Sequence, residues 1–470
     1  MFQEILSPHD IEQIHQTSMR VLANVGVEFP LEAALDAFKA HGVKTDGTRV
    51  YLSEAQVLKA LETVPKQFTL HGRDPARSVT IGDGRPVLAP GYGAPFLVDA
   101  QEGKRVPTVE DYRNLVKLAH ALPNQDVSGY LLVEPGDVPA EMAHLPMLYA
   151  HMVHSDKPFI GSVAGAQGVR DTMAMIHILF GGDVGERAVT MGVISGLSPL
   201  GYSPDMLEAL VGYAKAHQPL IIAALMMAGT TGPVTLPGLL ALQNAELLAG
   251  ITLSQLIRPG VPVIYGSTST NIDMRSGALA IGSPELAQLV AAHLQLVRYY
   301  GIPGRSGGTL TDASFPDAQA GAESMMGMLT ALNSGADFVL HAGGILSSYL
   351  AFSYEKFVLD DEICGAVRRF HQPWVVNDET LAYDIVAKVG PGGNFLLEDH
   401  TLERCRSAFW QPALSDRGGL EAWEQAGRPD AVDRARQRWQ KLLAAHKDPP
   451  LDATTARQIE AYVAERLEEA

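Results

Sequence analysis

The stretch GRSGGTLTDASFPDAQAG, residues 304–321, sets one arginine and two aspartates among glycine, serine, threonine and alanine. Arg305 carries a planar five-donor fork suited to a carboxylate, and Asp312 is near enough in sequence to be its ion-pair partner. Asp317 follows Pro316 where a helical pattern begins, so a cap or dipole contact accounts for it. His341 closes the apolar run DFVLHAGG and is either part of the same chemistry or a hydrogen-bonded core histidine.

Other polar residues recur at the ends of apolar runs: Tyr92, Asp99, Glu134, Ser195, Ser198, Thr230, Thr231, Ser267, Thr268, Asn271, Ser306 and Thr309. No lysine stands at these positions, which removes the nucleophile of a Schiff-base mechanism. One histidine with the scattered carboxylates Glu134, Asp99 and Asp312 is a weak metal signal. His144, His151 and His154 fall on one helical stretch, expected at the surface, and structural roles account for them. There is no P-loop, nucleophile elbow or zinc-type cysteine spacing.

These residues have to be positioned by elements, and the elements can be read from patterning. The first 65 or so residues read as three helices: Ser7 caps one that Gly26 closes, and two more end at Gly42 and Pro65. Short strands around Gly-Asp turns follow, and from residue 87 a unit repeats: an apolar run, a Gly/Ser/Thr/Pro break, then an amphipathic helix. Eight such runs begin near residues 87, 126, 158, 190, 219, 262, 302 and 337. Their spacing of roughly 30 to 43 residues is that of a strand and a returning helix. The runs are apolar throughout rather than alternating, as in a parallel sheet buried on both faces.

A closed (β/α)8 TIM barrel over residues 87–372 satisfies this pattern, with an open doubly wound sheet as the competing α/β arrangement. Residues 1–86 form an N-terminal helical appendage, and residues 373–470 a C-terminal appendage with terminal helices, expected to pack on the barrel. In a barrel the polar residues above gather on one rim, at the C-terminal strand ends.

Composition limits the partners. The chain has 470 residues, is 46% hydrophobic and carries a net charge of -17, with no basic cluster for nucleic acid. The longest apolar runs end in glycine and are too short to span a bilayer. The first residues lack a signal-peptide pattern, and two cysteines, Cys364 and Cys405, both read as packed thiols, suit a reducing cytoplasm. A homo-oligomer is the symmetric expectation.

LSPHDIEQIHQTSMRVLANVGVEF, GYGAPFLVDA, RSGGTLTDASFPDAQAGAES, DFVLHAGGIL and GPGGNFLLEDHT with FWQP occur in order from about residue 7 to about 416. Together they resemble the trimethylamine methyltransferase family. That resemblance implies a barrel enzyme that passes a methyl group from a methylated amine to the Co(I) corrinoid (cobalamin) of a separate partner protein. Founding members carry pyrrolysine, whereas all 470 residues here are ordinary. The chain is thus similar to the pyrrolysine-lacking branch, which includes glycine betaine methyltransferases.

The resemblance also implies site roles. A quaternary ammonium favours aromatic faces, for which Tyr92, Tyr265, Tyr349 and Phe352 are candidates. A betaine carboxylate would be held by Arg305 with His341, Asp312 would orient either of them, and Ser267, Asn271 and Thr309 are the reserve donors. No tightly bound cofactor and no stoichiometric metal are expected on this chain. Two readings stay open: a metal-dependent barrel lyase or hydrolase using Glu134, Asp312 and His341, and a betaine-binding module.

Overall fold

The computed structural model describes residues 3–99 and 103–469. The N-terminal helices are α1 (Pro8–Asn24), α2 (Glu32–Ala40) and α3 (Glu54–Leu61). Ser7 and Ser53 open α1 and α3 with reciprocal capping boxes, satisfying N–H groups that have no partner within the helix.

Six parallel strands lie side by side in the order Val87–Leu88, Phe338–Val339, Gly304–Ser306, Val263–Ser267, Leu220–Ala224, Gly192–Ser195. Backbone hydrogen bonds close the ring. The N–H groups of Asp126 and Val127 donate to the Leu88 carbonyl, Ser128 donates to Pro158, Ile160 to Gly129, and Gly161 to Met191, at 2.8–3.2 Å. Residues 126–129 and 158–161 are therefore the second and third staves. Gly129, at φ +90°, bends the second one out of an extended ladder.

The eight returning helices are α4 (Val109–Ala121), α5 (His144–His154), α6 (Gly165–Phe180), α7 (Pro204–Lys215), α8 (Leu236–Ile257), α9 (Pro284–Tyr300), α10 (Ala318–Asn333) and α11 (Tyr354–His371). The chain is a closed (β/α)8 barrel. Helix α8 is apolar all round because the barrel covers one side while α1, α2 and α3 cover the other. Among the described residues it is the one helix long and apolar enough to cross a membrane, and its apolar window is 78% buried within the fold.

Helix α5 is not a surface helix. His144 and His151 are buried: His144 pairs with Asp171 at 2.8 Å, and His151 with the Tyr112 hydroxyl at 2.8 Å. His154 meets Asp448 at 2.6 Å, on the connection to the last helix. Of the two thiols, Cys364 is packed but Cys405 is exposed, against expectation, because its segment of chain has no core of its own.

Beyond α11 come four short helices, α12 (Asp378–Leu381), α13 (Tyr383–Val389), α14 (Asp399–Arg404) and α15 (Leu420–Gln425), then α16 (Ala431–Ala445) and α17 (Ala453–Glu468). Helix α16 packs on α11 and α4, with Trp439 stacked on Tyr354 at 4.8 Å, and α17 packs on α6 and α5. The final two helices thus cover the barrel, whereas residues 369–413 contain no buried residue at all.

Candidate active site

Strand alternation decides which side chains enter the barrel. A Cβ at Gly304 would lie 2.7 Å from Val297 of α9, so residue 304 faces the helices and Arg305 faces the lumen. Gly266 makes room for it: a Cβ there would stand 3.2 Å from Arg305 Cδ and 3.0 Å from Ile221.

Arg305 is only 3% exposed, and among the described residues no acceptor pairs with its Nε. Burial depresses the guanidinium to about 10, so it stays charged at neutral pH, and the groups that offset this are the phenols of Tyr349 and Tyr92, not a carboxylate. An unpaired buried cation is costly, and an anion from outside would relieve it.

His341 lies beside it. Its carbonyl accepts from the Thr309 N–H at 2.9 Å, its own N–H donates to the Pro90 carbonyl, and the Tyr92 N–H donates to its Nδ1 at 3.2 Å. An accepting Nδ1 leaves the proton on Nε2. Burial, with Arg305 adding to it, holds this imidazole well below its ordinary pKa, so it is neutral.

Tyr349 covers His341 edge-on, with ring centroids 4.9 Å apart. It is held there by a run of left-handed backbone: Ser347, Ser348 and Tyr349 have φ of +48°, +52° and +76°, and His341 has +68°. Such conformations cost about 1–3 kcal/mol each and persist where the surroundings dictate them, commonly at functional sites. Tyr92, on the neighbouring first stave, is half-buried near Tyr130, and burial raises the pKa of both phenols. The Glu134 carboxylate is exposed at the edge, within electrostatic reach of Tyr92.

Four expected residues stand elsewhere. Asp312 does not orient Arg305 or His341: its carboxylate accepts from the Ile281 and Gly282 N–H groups and from the Ser348 hydroxyl, at 2.6–2.9 Å, which leaves it tied to the backbone. Its contribution runs through Ser348, the residue before Tyr349. Tyr265 points away from the lumen, because its strand places Gly266 inward; its hydroxyl donates to Asn244 and its ring stacks on His293. Phe352 is fully buried against Phe357, Gly91 and Gly344. Asn271 accepts from the Ser283 hydroxyl at 2.7 Å and ties down a hairpin. The reserve donor Ser267 also faces the helices and donates to Gln243 at 2.6 Å.

Two features escaped the sequence reading. Tyr130 lies inside the second apolar run, and its signal is an aromatic residue directly after a glycine at a stave end. Below the glycine loops, buried Lys356 donates to Asp360 at 2.5 Å, to Ser324 and to the Thr309 carbonyl, while Asp360 accepts from the Gly344 N–H. The i,i+4 spacing of Lys356 and Asp360 on α11 was the available clue.

Each strand-end loop from the fourth to the eighth also exposes a large apolar side chain: Leu197 (65% exposed), Leu225 (36%), Met274 (73%), Phe315 (41%) and Leu350 (57%). The carboxylates and histidine proposed for a metal site do not converge. Among the described residues the group close enough to share an ion is His154, His446 and Asp448, where one carboxylate oxygen already meets both rings, at 2.6 and 3.0 Å.

The fold and this site define a (β/α)8 enzyme whose mouth is walled by aromatic rings around a buried, uncompensated cation. The chain belongs to the trimethylamine methyltransferase (MTTB) family, whose sequence model matches residues 1–470. It is 45% identical over 467 residues to the glycine betaine methyltransferase of Desulfitobacterium hafniense (strain Y51), covering 99% of this chain and 97% of that one. It is 35% identical to the proline betaine:corrinoid methyltransferase of Eubacterium limosum, covering 99% and 98%. It is 32% identical to the L-carnitine:corrinoid methyltransferase of the same organism, covering 94% and 93%. Among solved structures, the monomethylamine methyltransferase (MtmB) of Methanosarcina barkeri shares the fold, with a TM-score of 0.51 at 15% identity over 93% of this chain and 92% of that one.

Proposed function

We propose that this chain demethylates a small betaine, a quaternary ammonium that also bears a carboxylate, and delivers the methyl group to a corrinoid carried by a partner protein. The observation that carries this reading is Arg305: buried, charged and unpaired beside Tyr92, Tyr349 and His341.

The guanidinium fork takes the carboxylate, and His341 contributes its Nε2 proton as a neutral donor. Tyr92 and Tyr349 offer ring faces to the ammonium, and the exposed carboxylate of Glu134 offsets its charge at the edge. With the carboxylate anchored, one N-methyl group is held toward the mouth. The partner's corrinoid supplies a Co(I) nucleophile for in-line attack on that methyl carbon. The C–N electron pair returns to nitrogen and leaves a neutral tertiary amine, so no general acid is required. That matches a mouth in which Asp312 is tied to backbone donors and His341 is neutral. Orientation is then the main demand on the protein. The apolar side chains Leu197, Leu225, Met274, Phe315 and Leu350 give the rim a dry face for the corrinoid partner.

The test is methyl transfer to free cob(I)alamin from glycine betaine, proline betaine, carnitine, γ-butyrobetaine, choline and trimethylamine. Transfer from at least one betaine is expected, with choline and trimethylamine poor. Efficient transfer from trimethylamine, with none from any betaine, overturns the reading.

A further inference from the structure

Of the three histidines on α5, His144 and His151 are hydrogen-bonded inside the fold, while His154, its last residue, meets the turn between α16 and α17. Nδ1 of His154 lies 2.6 Å from one oxygen of Asp448, and Nε2 of His446 lies 3.0 Å from the same oxygen. The ligating atoms of the three side chains all fall within 4.8 Å of one another. Both rings are mostly covered, at 13% and 6% exposure, and the carboxylate is half open to water.

Local structure aims the three groups. His446 is the extended residue that ends α16, and Pro449 keeps Asp448 out of a helical conformation, so both side chains are free to reach back to α5. Arg73 fixes the two ligand-bearing segments against each other. Its guanidinium donates to the Ser155 carbonyl at 3.1 Å, beside His154, and to the Pro450 carbonyl, just beyond Asp448. A third imidazole, His120 from the last turn of α4, stands edge-on to His446 with ring centroids 5.5 Å apart.

We infer that Nδ1 of His154, Nε2 of His446 and the Asp448 carboxylate hold one zinc ion, with water in its fourth position, and that this ion clips the α16–α17 turn onto the barrel.

Donor type selects the metal. Two imidazoles and a carboxylate suit zinc, whereas calcium and magnesium take oxygen ligands and copper(I) favours thiolate or thioether. Spacing agrees. Zinc holds nitrogen and oxygen ligands at about 2.1 Å, so neighbouring ligands of a tetrahedron stand about 3.4 Å apart. The Asp448 oxygen therefore backs away from its two rings by roughly 0.4–0.8 Å, a rotation open to a half-exposed side chain. Ring nitrogens from two separate helices aimed at one point are what a shared ion requires, and the chain's net charge of -17 draws cations to it. His154 stands just ahead of the third stave, at the face where strands begin and so opposite the mouth. The ion takes no part in methyl transfer, and that reading stands whether or not zinc is bound.

The experiment uses the full chain with any affinity tag removed, stripped with EDTA, dialysed against zinc chloride and then against zinc-free buffer. Zinc per chain is read by elemental mass spectrometry, affinity by competition with a chromophoric chelator, and melting midpoints with and without zinc. The wild type is compared with His446→Ala, with Asp448→Asn and with His177→Ala, a half-exposed histidine outside the site. One zinc per chain is expected in the wild type and in His177→Ala, with a midpoint that rises with zinc by mass action. His446→Ala and Asp448→Asn should bind zinc at least about 100-fold more weakly, beyond the cost of outer-shell changes, and lose the rise. Asp448→Asn preserves size and an acceptor oxygen, so it decides the matter if circular dichroism shows His446→Ala unfolded. A wild type that retains no zinc, or an Asp448→Asn chain that binds it as tightly as the wild type, overturns the inference.

Discussion

The backbone N–H of Tyr92, after the first strand, donates to Nδ1 of His341, at the end of the eighth, at 3.2 Å. This bond joins two neighbouring staves across the mouth and fixes a neutral imidazole with its proton on Nε2. Replacing His341 by alanine should lower kcat by about 100-fold, the cost of misplacing reacting groups by a small distance, with a smaller change in betaine affinity. Because the imidazole stays well below its ordinary pKa, lowering the pH from 8 to 6 should not protonate it. A rate loss centred near pH 6.5 that disappears in His341→Ala would count against the assignment.

Arg305 should show opposite effects on binding and stability. Arg305→Ala loses a charge-assisted bidentate contact worth about 1.5–3 kcal/mol, or about 10- to 150-fold in betaine affinity, and lysine should rescue it poorly. Choline, which has no carboxylate, should bind the variant as it binds the wild type. Arg305→Met keeps the stem that Gly266 accommodates and removes an uncompensated buried charge, so its unfolding midpoint should equal or exceed the wild-type value. A marked fall in that midpoint would make Arg305 a structural residue.

Asp312 should act on substrate binding from a distance. Asp312→Ala leaves the Ile281 and Gly282 N–H groups without acceptors, at about 1–3 kcal/mol for each that stays dry, and releases Ser348. Tyr349 then loses its backbone support, and KM should rise more than kcat falls. Ser348→Ala should reproduce the KM change with less loss of stability, as read from steady-state kinetics and a thermal melt. A kcat loss as large as that of His341→Ala would return Asp312 to the chemistry.

Glu246, on α8, braces the loop that carries Leu197: its carboxylate accepts from the Ser198 hydroxyl and the Leu200 N–H, both at 2.7 Å. Burial pushes this carboxyl up to about 7 from 4.5. The native state therefore keeps a proton that the unfolded chain has released between these two values. Stability falls as pH rises through that window, by about 3 kcal/mol, and levels off above it. Glu246→Gln should lose this slope, so melting midpoints from pH 5 to 7.5 should fall less steeply in the variant. Parallel curves would remove Glu246 as the source.

The sequence alone determined the elements and their order. Ser283, Pro284 and Gly301 mark the start and end of α9, and eight apolar runs at strand-plus-helix spacing give the strands and helices of a barrel, because caps, periodicity and glycine terminators are local properties, while closure of the ring is shown by the tertiary hydrogen bonds. It also placed Arg305, His341 and Tyr92 at strand ends, since chain order alone assigns the rim of a barrel. Tertiary structure decided which way each of them faces. Tyr265 and Gly266 are adjacent letters, yet alternation sends one to the helices and the other to the lumen, and the register that sets this comes from pairing with Gly304 and Arg305. Asp312 shows the same limit: seven residues from Arg305, it is bound instead to Ile281, Gly282 and Ser348, partners 30 to 36 residues away. Nothing local could assign the apolar letters of residues 374–409 either, because a hydrophobic pattern states that a surface is to be covered and only the folded chain shows that its own core does not cover it.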